Sequence, residues 1–493
     1  MNILLITSDQ QRPDAMGCLN ASVHTPHLDR LAQEGILFER AYTVNPVCTP
    51  SRCSMLTGQY PSRHGCFHVG TNLPTDYGPT VAHQLSDVGY STALLGKAHF
   101  QACKDPASFE SAPRIHDLDY FRDWSGPYFG FEHAELVIGH TSEPHAGGMN
   151  YGAWLLDQGI DLKQHFDIHD YDHYGPWSLS EEFHGSKWVA DRSMAAIDRA
   201  VDGKQPFFVW ASFQDPHNPY VTPEPWASMY RGADMPTPVV KNGEMNGKPP
   251  FYEELMNGNF YGDDPDLQDR GWGDCKIRPA LTEDDVKHVR AVYNGMVSLM
   301  DHHIGRLVAH LENHDLMDET LIVFTSDHGD YLGDHGLWGK GLPTYECMQR
   351  VPFVVRHPRC ETPGAKSKAL QSLVDLEASF LDVAGLSAGI NSQGICQTAS
   401  WLHAEQHARD WALVEFRPSH GDFMQRTYVE GHYKLVRYEN RAYGELYDLE
   451  ADPHQFVNRF DDLALRNVRD EVMGRFDAHR FQEEIVRERM AVA

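Results

Sequence analysis

Along the first 360 positions, short apolar runs alternate with amphipathic stretches, and several of the runs end in residues capable of chemistry. Residues 3–8 form a largely apolar run, short enough for a parallel strand buried on both faces, and lead into Asp9-Gln10-Gln11-Arg12-Pro13-Asp14. Residues 26–34 put Leu28 and Leu31 on one helical face, with Gly35 as the stop and a strand over 36–42. Thr80 caps a helix through Val88, Gly89 ends it, and a strand over 91–95 releases Gly96-Lys97-Ala98-His99. A helix over about 187–200 precedes a strand over 206–213, which delivers Gln214-Asp215-Pro216-His217-Asn218-Pro219. Thr282 caps a long helix through Leu311, in which Val286, Val289, Val292, Tyr293 and Met296 are read as core packing. A strand over 321–325 runs into Ser326-Asp327-His328-Gly329-Asp330, followed by Gly333-Asp334-His335-Gly336 and Gly339-Lys340. A further strand over 351–356 and a helix over 372–384 complete an α/β pattern, which predicts a large, mostly parallel central sheet flanked by helices.

Two stretches break the alternation. Residues 102–186 are rich in aromatics and histidine (His133, His140, His145, His165, His169, His173, His184) and are read as a rim or lid, their histidines as surface or substrate-rim groups. Residues 221–280, rich in Pro and Gly, are read as a surface excursion. After about residue 400 the period changes to that of strands, at 412–415, 425–430 and 433–438, with Gly431-His432 as a hairpin turn. An amphipathic helix follows from about Leu463. The chain is therefore divided into a catalytic α/β domain over 1–400 and a smaller C-terminal unit of antiparallel sheet plus helix over 401–493.

Composition narrows the function. A net charge of −28 on 493 residues excludes a nucleic-acid surface, so an anionic substrate must meet a local cationic pocket. No run of 18 apolar residues indicates a membrane span, and the opening residues carry no basic leader pattern. Nine cysteines without a paired framework favour a reducing compartment, so a cytoplasmic protein is expected, with a trimmed periplasmic or secreted form as the alternative. Oligomeric state stays open.

The most specific stretch is Cys48-Thr49-Pro50-Ser51-Arg52-Cys53-Ser54-Met55-Leu56-Thr57-Gly58. Asn45-Pro46-Val47 disfavours helix before it and Pro50 suits a first helical turn, so Cys48 is expected at a helix N-terminus. There the backbone N–H groups and dipole favour a nucleophile facing an anionic ester. Cys-x-Pro-Ser-Arg followed by Leu-Thr-Gly resembles the signature of type I sulfatases, within the alkaline phosphatase superfamily, and Gly-Lys-x-His resembles that family's second motif. The likeness extends over nearly the whole chain, its strong motifs lying within 9–99 and 214–340.

The resemblance implies that a maturation enzyme oxidises Cys48 to Cα-formylglycine, whose hydrate attacks the sulfur of a sulfate monoester. It implies a cation, Ca²⁺ first and Mn²⁺, Mg²⁺ or Zn²⁺ as alternatives, held by Asp9, Gln10, Asp327, His328 and the modified Cys48. Many sulfatases carry two acids where this chain has Asp9 followed by Gln10. Arg52 would hold the attacking hydroxyl in ionised form, while Lys97, His217 and Lys340 neutralise the sulfuryl oxygens. His217 or Lys340 would protonate the departing alcohol, and His99 would deprotonate the second hydroxyl to release sulfate. Aromatic and histidine-rich insertions suit a sulfated sugar. Two alternatives stand beside this: a phosphonate monoester or phosphodiester hydrolase, and a catalytically inactive glycan-binding protein.

Overall fold

In the computed structural model, described over residues 1–112, 114–139, 144–168, 173–256, 275–277, 281–418 and 423–479, the apolar runs assemble into one eight-stranded sheet. Its strands are β1 (Asn2–Ser8), β2 (Ile36–Phe38), β3 (Ser91–Lys97), β4 (His133–Val137), β5 (Phe207–Ser212), β6 (Thr320–Ser326), β7 (Phe353–Arg356) and β8 (Ala365–Ser367). They lie in the order β8-β2-β7-β6-β1-β5-β3-β4. β6, β1, β5, β3 and β4 are mutually parallel, and β7 is antiparallel to both its neighbours. Every residue of β1, β5 and β6 is buried, as expected where helices cover both faces of a parallel sheet.

Four neighbouring strands, β6, β1, β5 and β3, therefore end side by side. Their carboxyl ends release Asp327, Asp9, the loop bearing His217, and the loop bearing His99. Residues more than 300 positions apart become neighbours because parallel pairing sets Ser8 opposite Ser326 and Thr7 opposite Ser212.

The helices follow the capping signals closely. α1 (Pro26–Glu34) and α2 (Cys48–Thr57) form where expected, and Gly58 closes α2 in the left-handed conformation. Gly35 is needed for a different reason from the helix stop assigned to it. Its φ is −131°, and a Cβ there would sit 2.1 Å from the carbonyl oxygen of Val355, so the glycine admits β7 against the helix end. α3 (Val81–Asp87) carries a reciprocal cap between Thr80 and His83. α4 (Gly185–Gly203) and α5 (Glu283–Asn313) pack on one another and on the sheet. Asp301 of α5 also accepts the backbone N–H groups of Leu28 and His27, supplying the N-terminal acceptor that α1's own Thr25 does not.

Two expectations need correction. The 102–186 stretch is not only rim, because β4 lies inside it and pairs parallel with β3 as the sheet's edge. His184 is not a rim residue either: it is 1% exposed and caps α4, its ring nitrogen accepting from the N–H of Ser186. His140 and His169 lie outside the described residues.

A second sheet of four antiparallel strands, β9 (Trp411–Phe416), β10 (Gln425–Glu430), β11 (Tyr433–Tyr438) and β12 (Gly444–Asp448), is covered by the last described helix, α6 (Arg466–Ala478). Leu413, Tyr428, Leu435, Val472 and Phe476 belong to the same apolar cluster as Ile3, Leu5 and Val323 of the large sheet. The two sheets thus share a continuous core. Among the described residues no helix is long and apolar enough to cross a membrane.

Candidate active site

Cys48 is the first residue of α2 and is fully buried. Its Sγ lies 2.9 Å from Lys340 Nζ, 3.2 Å from His328 Nε2, 3.6 Å from Asp9 Oδ1 and 3.9 Å from Lys97 Nζ. Arg52, one helical turn on, shares its face. The Arg52 guanidinium donates to Asp327 Oδ2 at 2.8 Å, to the Lys97 carbonyl at 2.8 Å and to Ser212 Oγ at 2.8 Å, and reaches Asp9 Oδ2 at 3.4 Å. Lys97 closes the ring with an ion pair to Asp9 at 2.6 Å.

Close approach of β3 to β5 makes this possible. Gly96 has φ 107°, and a Cβ there would meet the Ser212 carbonyl oxygen at 1.9 Å, so only glycine sets Lys97 at this depth.

The buried carboxylates of Asp9 and Asp327 face three cationic side chains, Arg52, Lys97 and Lys340, inside a protein carrying −28. That is the local cationic pocket which the overall charge demanded. Burial alone would raise the Asp9 pKa, but Lys97, Arg52 and Lys340 hold it well below the usual carboxylate range.

His217 is oriented by its own loop. Its Nδ1 donates to the Asn218 carbonyl at 2.6 Å, so Nε2 accepts from Lys340 Nζ at 2.6 Å. Burial, with Lys340 and Lys97 nearby, keeps this imidazole neutral. The proton in the pair therefore sits on Lys340, which separates two groups that the sequence left equivalent.

His99 stands at φ 53°, a strained conformation for a residue other than glycine. Its Nδ1 has no hydrogen-bond partner among the described residues, and its Nε2 is 3.8 Å from Cys103 Sγ. Burial, together with the charges of Lys97, Lys340 and Arg52, pushes its pKa well down. It is a neutral base beside the cluster, without a direct bond to Cys48 among those described.

Glu110 steadies the loop that carries His99, accepting from the Phe100 N–H at 2.9 Å and the Tyr128 hydroxyl at 2.7 Å. Burial pushes its pKa up from 4.5 to about 7. A raised folded pKa gives stability that is complete below the unfolded value and is lost as pH rises through the folded one. The shift is worth about 3 kcal/mol. Glu110→Gln is expected to flatten the fall in melting temperature between pH values of about 4.5 and 7, which thermal unfolding across pH measures directly.

The donor set fits a metal ion. Donor atoms of Asp9, Cys48, Asp327 and His328 all lie within 4.8 Å of one another. His328 Nδ1 donates to the Gly329 carbonyl at 2.9 Å, which turns the Nε2 lone pair inward, the usual second partner of a ligating imidazole. Gln10 Oε1 is buried and has no hydrogen-bond partner among the described residues. Asp334 and His335, from the stretch that follows Asp327 and His328, lie in separate contacts: Asp334 with Arg12 and Arg290, His335 with Glu244 and stacked on Tyr345.

The structure also recruits residues that sequence reasoning passed over. Thr43 and Ser51 both donate to the Asp327 carbonyl, at 2.6 and 2.7 Å, and Ser212 receives Arg52. Ser51 lies within the motif and was legible there. Thr43 and Ser212 carry no sequence signal.

The fold and this donor set define a member of the alkaline phosphatase superfamily. The sulfatase family model matches residues 1–386, and the model of the N-sulphoglucosamine sulphohydrolase C-terminal region matches 333–482. The chain is 29% identical over 464 residues to an arylsulfatase of Clostridium perfringens, spanning 93% of this chain and 89% of that one. It is 28% identical over 505 residues to the multifunctional alkaline phosphatase superfamily protein PehA of Trinickia caryophylli, spanning 94% and 92%. The solved phosphonate monoester hydrolase of Silicibacter pomeroyi superposes with a TM-score of 0.78 at 26% identity, covering 98% of this chain and 95% of that one. The chain belongs to the sulfatase family and is an enzyme hydrolysing sulfate esters.

Proposed function

We propose that this enzyme hydrolyses the sulfate monoester of a carbohydrate, with a Cys48-derived formylglycine and a calcium ion. The observation that carries the reading is the convergence of Lys340, Lys97, Asp9 and His328 on Cys48 Sγ. The match to an N-sulphoglucosamine sulphohydrolase C-terminal region supports a sugar. Three oxygen donors, from Asp9, Asp327 and Gln10, support calcium; the imidazole of His328 makes Mn²⁺ its first competitor. Eight of the nine cysteines, each outside any disulfide, support a reducing, cytoplasmic setting.

When bound, the ion supplies Lewis acidity, and the hydrated aldehyde supplies one hydroxyl for attack and a second for release of sulfate. The protein's own groups do the rest. Lys97 and Lys340 neutralise the sulfuryl oxygens, and Arg52 fixes both carboxylates. Lys340 gives its proton to the departing alcohol, its ammonium held in place by donation to His217 Nε2. His99, neutral by burial, takes the proton from the second hydroxyl.

A phosphonate monoester hydrolase is the second reading, favoured by the likeness to the Silicibacter pomeroyi enzyme and by the neutral Gln10 in place of an acid. After co-expression with a maturation enzyme, the Cys48 peptide is expected about 18 Da lighter than the thiol form. On that material kcat/KM for 4-nitrophenyl sulfate should exceed that for a phenylphosphonate ester. A phosphonate preference of several orders of magnitude would reverse the assignment, and a thiol left intact under these conditions would favour a non-catalytic, glycan-binding role.

A further inference from the structure

Gln10 is the uncharged member of the proposed ligand set, and both its backbone and its amide are fixed from several sides. It stands at φ 63°, a conformation that persists in a non-glycine residue only where neighbours over-determine it. Tyr293 spans the strained residue: its hydroxyl donates to the Gln10 carbonyl at 2.9 Å and accepts the Arg12 N–H at 2.9 Å. Asp327 Oδ1 accepts the N–H of Gln10 itself at 3.1 Å.

The amide is fixed independently. Gln10 Nε2 donates to Asp330 Oδ2 at 2.7 Å and to Asn218 Oδ1 at 3.3 Å. Asp330 Oδ2 also receives the Tyr220 hydroxyl at 2.7 Å, and Asp330 Oδ1 receives the Leu332 N–H at 2.7 Å. Asp330 is fully buried and committed as an acceptor on both oxygens. Turning the Gln10 amide over would set two acceptor oxygens against each other at hydrogen-bond distance and lose a donor. The NH₂ group therefore stays on Asp330, which leaves Oε1 buried without a hydrogen-bond partner among the described residues.

We propose that Asp330, held by Tyr220, is a positioning residue that fixes the Gln10 amide with its carbonyl oxygen presented as a neutral ligand to the cation of Asp9, Asp327 and His328. Positions 10 and 330 are then a matched amide–acid pair. An acid at 10 would set two carboxyl groups against each other at hydrogen-bond distance, whereas exchanging the two groups keeps the contact and the free oxygen. This inference rests on the metal-dependent reading above and explains how that site does with one carboxylate fewer.

The test uses the full-length protein, with residue 48 in one state throughout, and measures Ca²⁺ and Mn²⁺ affinity by competition with a chelator. Asp330→Asn, which lets the Gln10 amide turn, and Gln10→Glu, which opposes two carboxylates, are each expected to weaken binding about 10–100-fold. The exchange Gln10→Glu with Asp330→Asn is expected to recover about tenfold or more of that loss. Tyr220→Phe removes only one donor from Asp330 and should weaken binding in the same direction by less, which keeps the test available if Asp330→Asn does not fold. Unchanged affinity in Asp330→Asn and Tyr220→Phe, or a double variant no tighter than the weaker single, would overturn the pairing. Wild-type protein that takes up neither ion would overturn the metal-dependent reading, and the inference with it.

Discussion

Cys48→Ala is expected to lower kcat/KM toward sulfate esters by about 10⁴–10⁶-fold, the range seen when a covalent nucleophile is removed and binding groups remain. The stability cost should be small. Residue 48 is the first of α2, and Cys48 belongs to a cluster of buried apolar residues around Val47, Val69 and Met348, so loss of one sulfur leaves the helix and its Gly58 cap in place. A melting temperature within a few degrees of wild type, together with the lost activity, would assign the effect to chemistry. Cys48→Ser separates the two hydroxyls of the proposed nucleophile. A serine can be sulfated once, but it has no second hydroxyl on the same carbon to expel the sulfate. The expected signature is at most one product per protein molecule, read as a burst with no steady state. Turnover within tenfold of wild type in Cys48→Ala would end the assignment of Cys48 as nucleophile.

The strands and helices that carry the site were legible because each ends in a residue pattern with a physical cause. The run before Asp9, the Thr80 and Thr282 caps, and the apolar stretch before Asp327 all form within a few residues of the positions they predict. β4 was hidden by the irregular text around it, since an edge strand of five residues leaves little periodic signal. Gly35 was legible as a boundary but not as a close approach, because Val355 reaches it from more than 300 positions away. In the site, residues at strand ends could be named, while the layer behind them could not. Tyr293 fits the apolar face of α5 and was read as packing, yet its hydroxyl holds the Gln10 turn. Ser212, Thr43 and Asp330 are ordinary residues until parallel pairing brings Arg52, Asp327 and Gln10 against them. Their roles belong to the tertiary structure and to no local pattern.

Arg52 shows how far chemistry and stability are joined here. Its fully buried side chain is the cation bonded to Asp327 Oδ2 and also satisfies the Lys97 carbonyl and Ser212 Oγ. Lys97 is engaged with Asp9, and Lys340 with Cys48 and His217, so neither stands ready to replace it. Arg52→Ala is therefore expected to cost about 3–5 kcal/mol, the usual penalty for stripping one partner from a buried ion pair, and to appear as a clear drop in melting temperature. Arg52→Lys keeps the charge but not the planar fork, so it can serve Asp327 or the Lys97 carbonyl but not both. That variant should retain most of the stability while kcat/KM falls by about 10²–10³-fold, because the carboxylates that set the site's geometry are no longer held together. Thermal unfolding and kinetics on the same two proteins decide the matter. If Arg52→Ala melts with wild type and Arg52→Lys turns over at the wild-type rate, the guanidinium is neither the brace nor the charge that this geometry requires.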